Sequence, residues 1–234
     1  MAIRVGRRWR IGLFAGISAL LVLAIVVVAL DTAQRHLPEF YLRAAPDAAA
    51  DLPALADLCT RQALALVSSS QRRGPWQASF TADQLNAWLA IELRRHFPAV
   101  LPDAYQEPRI AIEPHRARLG ILCGDASPRI YSIEFDLFRA GESSLGLRIH
   151  RVRYGALPLP LGAVVQEISA AASRGDLPLQ WKQQAGDPIA IIAIAPAESE
   201  YLVSLDTVEL RDGSLYLSGQ TKLAPAARRS TRAA

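Results

Sequence analysis

The chain has 234 residues and a formal net charge of +4, which is enough length for one domain with a sizeable core. The basic charge is concentrated at the two ends, because residues 1–30 and 224–234 hold seven of the 26 basic side chains and no acidic one. Removing those seven leaves 19 basic against 22 acidic side chains in the body of the chain. A phosphate backbone requires a basic surface, so we expect no nucleic-acid partner.

The first predicted element is an uncharged run of 20 residues from Ile11 to Leu30, which follows four arginines in residues 1–10. As a helix it would be about 30 Å long, the thickness of the hydrocarbon core of a bilayer. The positive-inside rule keeps residues 1–10 in the cytoplasm and exports the chain from residue 31 onward. A cleaved signal peptide is the alternative, because Val27-Val28-Ala29 satisfies the small-residue cleavage rule. Signal-peptide apolar regions are usually shorter, at about 7–15 residues, so we predict an uncleaved transmembrane helix.

The next region, residues 31–50, is polar and alanine-rich, and we predict a linker that begins as a helical continuation of the anchor. Asp51 is a typical helix N-cap, and Pro53 falls in the first turn, where its missing N–H costs nothing. Apolar residues then recur at helical spacing. Together these features predict an amphipathic helix of about 18 residues that ends near Ser70.

A second helix is predicted after a short alternating strand, Trp76–Phe80. Thr81 and Gln84 form a capping-box pattern, in which each side chain bonds the backbone N–H of the other residue. The helix then continues to Phe97, and Glu92 is predicted to lie off its apolar face. We expect that face to pack on the domain core, and it consists of Leu85, Trp88, Leu89, Leu93 and Phe97.

Beyond the second helix the hydrophobic period changes to two, which is typical of antiparallel strands with one apolar and one polar face. The segments 131–137 and 145–150 are successive strands of this kind, with apolar residues at the odd positions. The even positions are then predicted to form a cross-strand ladder of charges on the solvent face. The residues of that ladder are Glu134, Asp136, Arg148 and His150.

The C-terminal half adds a third helix and further strands. The proline-rich segment Gly155–Leu161 interrupts the sheet, and helical spacing after it predicts a helix over Leu161–Ala172. A strand is predicted at Ile189–Ile194. Residues 224–234 show no periodicity, and we interpret them as a disordered basic tail.

A hairpin is predicted near the C-terminus, where Asp212-Gly213 provides a two-residue turn. Upstream of it the apolar residues change from odd to even positions, which predicts a β-bulge near Asp206-Thr207. The pairs expected across the hairpin are Leu210 with Leu215 and Val208 with Leu217.

These elements predict an α+β protein. An N-terminal transmembrane helix, 11–30, precedes a linker, 31–50, and one extracytoplasmic domain, 51–223. The domain is expected to contain a curved, mainly antiparallel sheet packed by amphipathic helices.

Catalytic patterns are weak in this sequence. The four histidines lie on separate predicted elements, and none has a metal-ligand spacing to another histidine or to a cysteine. We therefore expect no metal, no other cofactor and no enzymatic activity. Glu134 and Asp136 share a strand face, so an envelope hydrolase with a paired-carboxylate site is the alternative. A solvated face balanced by Arg148 explains the same two residues more simply.

One apolar surface is a candidate binding site. A sheet face covered by helices can leave a groove along its length, and such a groove can hold an acyl chain. The competing interpretation is an ordinary filled core. The candidate groove is formed by Tyr131, Phe135, Leu147 and Ile149, with Leu85, Trp88 and Leu89 as its lid.

The two cysteines are Cys59 and Cys123, and each lies in an apolar pattern. Both are expected to point into the core. We predict free thiols, because a disulfide requires Cα atoms about 4.4–6.8 Å apart, a condition that few pairs of core positions meet. Export to an oxidising compartment keeps a bridge as the alternative.

Two short motifs support a family resemblance. The segment Phe80–Leu89, with the sequence FTADQLNAWL behind an N-terminal anchor, resembles the opening of the YpmS-type bacterial membrane proteins. The segment Gly155–Leu161, with the sequence GALPLPL before a helix, resembles their later portion. The resemblance implies an anchored extracytoplasmic α+β domain in the bacterial cytoplasmic membrane, with no established enzymatic role. Neighbouring families are suspected of lipid handling, so the expected partners are the membrane, a lipid or another envelope protein.

Overall fold

The computed structural model describes residues 36–47, 50–98, 103–124, 129–174, 179–194 and 201–223. The predicted cytoplasmic N-terminus, transmembrane helix and C-terminal tail lie outside these residues. Among the helices that it does describe, none is long and apolar enough to cross a bilayer. The described part is an α+β domain with antiparallel strand pairing throughout, as the sequence predicts.

Four helices and ten strands make up the described residues. The helices are α1 (Glu39–Arg43), α2 (Leu52–Ser70), α3 (Ala82–His96) and α4 (Leu161–Arg174). The first five strands are β1 (Gly74–Thr81), β2 (Tyr105–Glu113), β3 (Arg116–Cys123), β4 (Arg129–Gly141) and β5 (Ser144–Tyr154). The others are β6 (Leu157–Pro158), β7 (Leu179–Gln184), β8 (Asp187–Ala193), β9 (Tyr201–Arg211) and β10 (Ser214–Leu223).

The strands form two sheets, whereas the sequence analysis expected one. A three-stranded sheet has the order β1-β10-β9, and a seven-stranded sheet has the order β2-β3-β4-β5-β8-β7 with β6 beside β5. Strand β9 contacts the larger sheet at two hairpin turns of that sheet. The Leu205 N–H donates to the Glu142 carbonyl at 2.6 Å, and the His115 N–H donates to the Leu210 carbonyl at 2.9 Å. Such isolated backbone bonds at hairpin turns do not continue a ladder, so the sheets remain separate.

Local sequence signals are confirmed at both long N-terminal helices. The Asp51 carboxylate accepts a hydrogen bond from the Ala54 N–H at 3.1 Å at the start of α2. At α3 the capping box is complete, because the Gln84 N–H donates to the Thr81 hydroxyl at 3.2 Å and the Thr81 N–H donates to the Gln84 side chain at 2.9 Å. These bonds satisfy backbone donors that have no partner inside a helix.

The predicted C-terminal hairpin is also confirmed. Leu210 pairs with Leu215 and Val208 pairs with Leu217. The register shifts so that Thr207 faces Ser218 and Leu205 faces Gly219, which leaves Asp206 as the extra residue of a bulge. The third predicted helix is α4, whereas β7 was not predicted from the sequence.

The predicted linker differs from what the structure contains. Helix α1 lies within residues 31–50, and its Phe40 and Tyr41 side chains are only 5% and 3% exposed. They pack with Ile130 of β4, where Gly120 of β3 leaves room for the ring of Tyr41. The Tyr41 hydroxyl also donates to the Glu107 carbonyl at 2.8 Å. This segment is therefore part of the domain.

The predicted apolar face of α3 needs correction. Its most buried side chains are Gln84, Asn86, Ala87 and Glu92, whereas Phe97 is exposed. The Asn86 amide donates to the Ile110 carbonyl at 3.0 Å and accepts from the Ile110 N–H at 2.7 Å. Since β2 is an edge strand, α3 places a polar side chain there to satisfy backbone groups that have no strand partner.

Candidate functional site

The four sheet residues of the predicted groove share one face of the larger sheet, as expected. Phe135 pairs with Ile149, and Leu137 pairs with Leu147, so these side chains lie side by side. Phe135 is 8% exposed and Ile149 is fully buried. Their surroundings are filled, so at these positions the structure has an ordinary core and no groove.

The predicted lid is only partly correct. Leu85 packs against the cluster that contains Phe135, together with Leu210 and Leu215 of the smaller sheet. Trp88 and Leu89 are half-buried, and the Trp88 ring lies 6.2 Å from the ring of Phe97. The sequence pattern placed all three residues on one helical face but could not show that α2 and β2 contact α3 from different sides.

Helix α4 covers the rest of this face. Val164, which is 1% exposed, packs with Ile149 and Val152 of β5, and Ile168 packs against the same cluster. The Trp181 N–H donates to the Ser169 hydroxyl at 2.7 Å, which ties α4 to β7. We call this surface of the larger sheet the α4 face.

An open pocket lies between α4 and this face. Its volume is about 290 Å³, close to the lower end of the range for small-molecule sites, about 300–1,000 Å³. Most of its wall is apolar, and the charged side chains in it are Glu167 and Arg174. The lining residues from the sheet are Tyr105, Ile121, Tyr131 and Ile133, and those from α4 include Val164, Ile168, Ala170 and Ala171.

Burial disfavours the charged forms of the two tyrosines at the pocket and of Cys123 near them. Burial, with a smaller contribution from the nearby Glu167 carboxylate, raises the pKa of Tyr131 to about 12. Burial also raises the pKa of Tyr105 and of the Cys123 thiol, with smaller contributions from Glu167 in the same direction. These groups are therefore neutral parts of the wall, whereas Glu167 and Arg174 are its charged side chains.

Among the predicted site residues, only Tyr131 lines this pocket. The others lie in the filled core or beside it. The signal in the sequence was the helical spacing of Leu161–Ala172, because an amphipathic helix after a strand must cover an apolar face. Which part of the sheet it covers depends on β5, β6 and the turn between them, and this is not visible in the periodicity.

The two carboxylates of the alternative enzyme hypothesis each have a cationic or ionisable neighbour. Glu134 Oε1, on β4, lies 2.5 Å from Nη1 of Arg116, on the neighbouring strand β3. Asp136 Oδ2 lies 3.1 Å from His150 Nε2, and His150 Nδ1 lies 3.5 Å from Asp187 Oδ2. Each of the two carboxylates therefore contacts a basic side chain on a neighbouring strand.

The prediction for the two cysteines can be compared with the structure. Cys59 and Cys123 are free thiols, the first buried in α2 and the second half-buried at the end of β3. Within the described residues, no group of three histidine, cysteine or acidic side chains is arranged to hold a metal ion.

The chain was also compared with known proteins. Protein-family models, curated proteins and solved structures gave no match.

Proposed function

We propose that this protein is a non-enzymatic, single-pass protein of the bacterial cytoplasmic membrane whose extracytoplasmic domain holds one acyl chain of a lipid in the α4 pocket. The uncharged run Ile11–Leu30 and the four arginines before it support the membrane anchor and its orientation. The resemblance of Phe80–Leu89 and Gly155–Leu161 to the YpmS-type proteins supports the same architecture. An envelope scaffold without a lipid ligand is the competing function.

The pocket between α4 and the sheet is the observation that carries the lipid part of the proposal. The pocket is open and mostly apolar, with a volume of about 290 Å³, so it can bury an apolar ligand. Most of its wall consists of apolar side chains and few hydrogen-bonding groups, as a hydrocarbon chain requires. Glu167 and Arg174 provide charged groups that can contact a polar headgroup.

Native mass spectrometry of the full chain in a non-ionic detergent tests this proposal, because a lipid that co-purifies appears as a defined mass shift. The informative variant is Ala171→Phe, which fills the pocket from the half-buried side of α4. We expect it to reduce bound lipid about tenfold, since a phenyl ring displaces tens of Å² of lipid contact. Ala163→Phe adds the same ring at an exposed position of α4 outside the pocket and should leave lipid binding unchanged.

The result also distinguishes the competing function. Wild-type protein without bound lipid, even after incubation with phosphatidylethanolamine and phosphatidylglycerol, would favour the scaffold. Equal loss of lipid in both phenylalanine variants would mean that the lipid is bound elsewhere.

The proposed orientation has its own test. Alkaline phosphatase fused after residue 45 should be active, because it folds only outside the cytoplasm, and a cytoplasmic reporter at the same position should be silent. The opposite pattern would refute the anchor orientation. A mature N-terminus at Leu30 would replace the anchor with a signal peptide.

A further inference from the structure

The opposite side of the larger sheet carries a second pocket with different chemistry. It lies between α1 and strands β3, β4 and β5 and has a volume of about 220 Å³. We call it the α1 pocket. Charged side chains dominate its wall, and they are Glu39, Arg43, Arg118, Glu134, Arg151 and Arg153.

Two of these arginines form no ion pair in the described part of the chain. Arg43 is paired with Glu39 at 3.5 Å, and Arg118 is paired with Glu113. Arg151 and Arg153 are exposed and, within the residues described, form no ion pair or hydrogen bond. They lie two positions apart on β5, opposite Glu134 and Ser132 of β4, so both extend on the α1 side of the sheet.

The acidic residues of the α1 pocket are already neutralised. Glu134 Oε1 lies 2.5 Å from Arg116 Nη1, and Glu39 pairs with Arg43. The Cα atoms of Arg151 and Arg153 are about 7 Å apart along the strand, the spacing of alternate residues. Guanidinium groups bind phosphate oxygens in a bidentate geometry, so the pair forms a site for a phosphate.

The position of the α1 pocket relative to the predicted anchor indicates which phosphate it binds. His36 lines the pocket and is six residues after Leu30, the last residue of the apolar run. Six residues of chain reach at most about 21 Å. The pocket must therefore stay within that distance of the membrane surface.

Apolar side chains beside the pocket point to the same surface. Leu37 and Leu42 are 40% and 54% exposed, and they flank the pocket residues Pro38 and Arg43 in sequence. Exposed leucines next to free basic groups are the combination that segments lying in the interface of an anionic bilayer share. A free phosphate ion has no apolar part that could pack against these leucines.

We propose that the α1 pocket binds the phosphate of an anionic lipid headgroup in the outer leaflet, through Arg151 and Arg153, and so docks the domain on its own membrane. This inference uses the anchor of the proposed function for its geometry but not the acyl-chain pocket, which lies on the other side of the sheet.

The test compares the full chain in non-ionic detergent with added phosphatidylglycerol, phosphatidylcholine or inorganic phosphate, again by native mass spectrometry. We expect phosphatidylglycerol to bind about tenfold more tightly than phosphatidylcholine, and the double variant Arg151→Gln/Arg153→Gln to remove this preference. The matched control is Arg72→Gln/Arg73→Gln, because this exposed pair lies in the turn before β1 and removes the same charge. Unchanged thermal unfolding of both double variants shows that each is folded.

Each remaining outcome overturns the inference in a recognisable way. Equal losses in the two double variants would reduce the effect to net charge. Inorganic phosphate that displaces phosphatidylglycerol completely would make the ligand a free anion. Loss of phosphatidylglycerol in Ala171→Phe with retention in Arg151→Gln/Arg153→Gln would assign the lipid to the α4 pocket, and the proposed function would then stand while this inference falls.

Discussion

The two faces of the larger sheet are made from the same strands but have opposite chemistry. On β4, Tyr131, Ile133 and Phe135 alternate with Ser132 and Glu134, so a single strand supplies an apolar side chain to one face and a polar one to the other. Helix α4 and the smaller sheet cover the apolar face. Helix α1 covers only part of the polar face, where Phe40 and Tyr41 pack over Ile130.

The difference between the faces shows that the cover decides what a face can bind. Alternation along a strand fixes which side chains point each way. Helix α1 has only five residues, so it covers part of the polar face of the sheet and leaves Arg151 and Arg153 exposed. The longer α4 covers apolar residues but leaves one open space among them. On each face a pocket therefore lies between the covering helix and the sheet.

The largest expected effect tests whether both faces are true cores. Ile149 on the α4 face and Ile130 on the α1 face are each 0% exposed. We expect Ile149→Ala and Ile130→Ala each to lower the free energy of unfolding by about 3 kcal/mol, the cost of removing three buried carbons and leaving a cavity. Urea unfolding followed by tryptophan fluorescence measures the loss. Leu64→Ala, at a side chain that is 64% exposed, should cost less than about 0.5 kcal/mol. A small loss at Ile130 alone would show that α1 does not pack as described.

Local chemistry explains what the sequence predicted correctly. The capping box at Thr81, the turn at Asp212-Gly213 and the bulge at Asp206 each depend on residues within a few positions of one another. Backbone geometry and short hydrogen bonds decide such features, so the sequence carries them directly. The same holds for the alternation of β4 and β5.

Long-range packing explains what the sequence did not predict. The burial of Asn86 depends on the unpaired edge of β2, and the burial of Tyr41 depends on the missing side chain at Gly120. Between β4 and β5 the register shifts at Glu134 and Phe135, which makes Glu134 face Arg151 instead of His150. The two free arginines of the α1 pocket share the strand face of Glu134 only because of this shift. A period of two cannot reveal it.

A glycine substitution tests how tightly α1 sits on its face. A Cβ atom at Gly120 would lie 2.5 Å from Tyr41 Cδ2 and 3.3 Å from Phe40 Cζ, so Gly120→Ala must displace α1. We expect a loss of about 2 kcal/mol in the free energy of unfolding, typical of overpacking. Gly162→Ala is the control on the other face, because a Cβ atom there meets nothing within 4 Å. It should be neutral or stabilise α4 by up to about 1 kcal/mol. Equal effects of the two substitutions would contradict the close approach of Tyr41.

A smaller effect is expected at the edge of the sheet that both faces share. Asn86→Ala leaves the N–H and carbonyl of Ile110 without their side-chain partner. We expect a loss of about 1–2 kcal/mol, because Ile110 is half-buried and water replaces part of the lost bonding. Asn86→Asp keeps the acceptor for the Ile110 N–H and should recover part of this loss. Hydrogen exchange at Ile110 should become faster in Asn86→Ala, and unchanged exchange would mean that the bond has no role in holding the edge.

The last comparison of the two faces uses one tyrosine on each. Burial raises the pKa of Tyr41, on the α1 face, and of Tyr131, on the α4 face, from 10.0 to about 12. Between pH 10 and pH 12 the unfolded chain loses these protons while the folded chain keeps them. Their contribution to stability is therefore complete below pH 10 and is lost as the pH rises to about 12. In a phenolate absorbance titration, Tyr41→Phe and Tyr131→Phe should each remove one late-titrating group.

The largest charge contribution to the pKa has opposite signs at the two phenols, so added salt should shift the two pKa values in opposite directions. The Arg109 guanidinium lies 4.3 Å from the centre of the Tyr41 ring and lowers the pKa of that phenol more than Glu107 raises it, whereas the Glu167 carboxylate raises the pKa of Tyr131. Added salt screens both interactions. The pKa of Tyr41, measured in Tyr131→Phe, should therefore rise with salt, and the pKa of Tyr131, measured in Tyr41→Phe, should fall. Shifts of the two pKa values in the same direction would show that Arg109 and Glu167 do not act on these phenols as described.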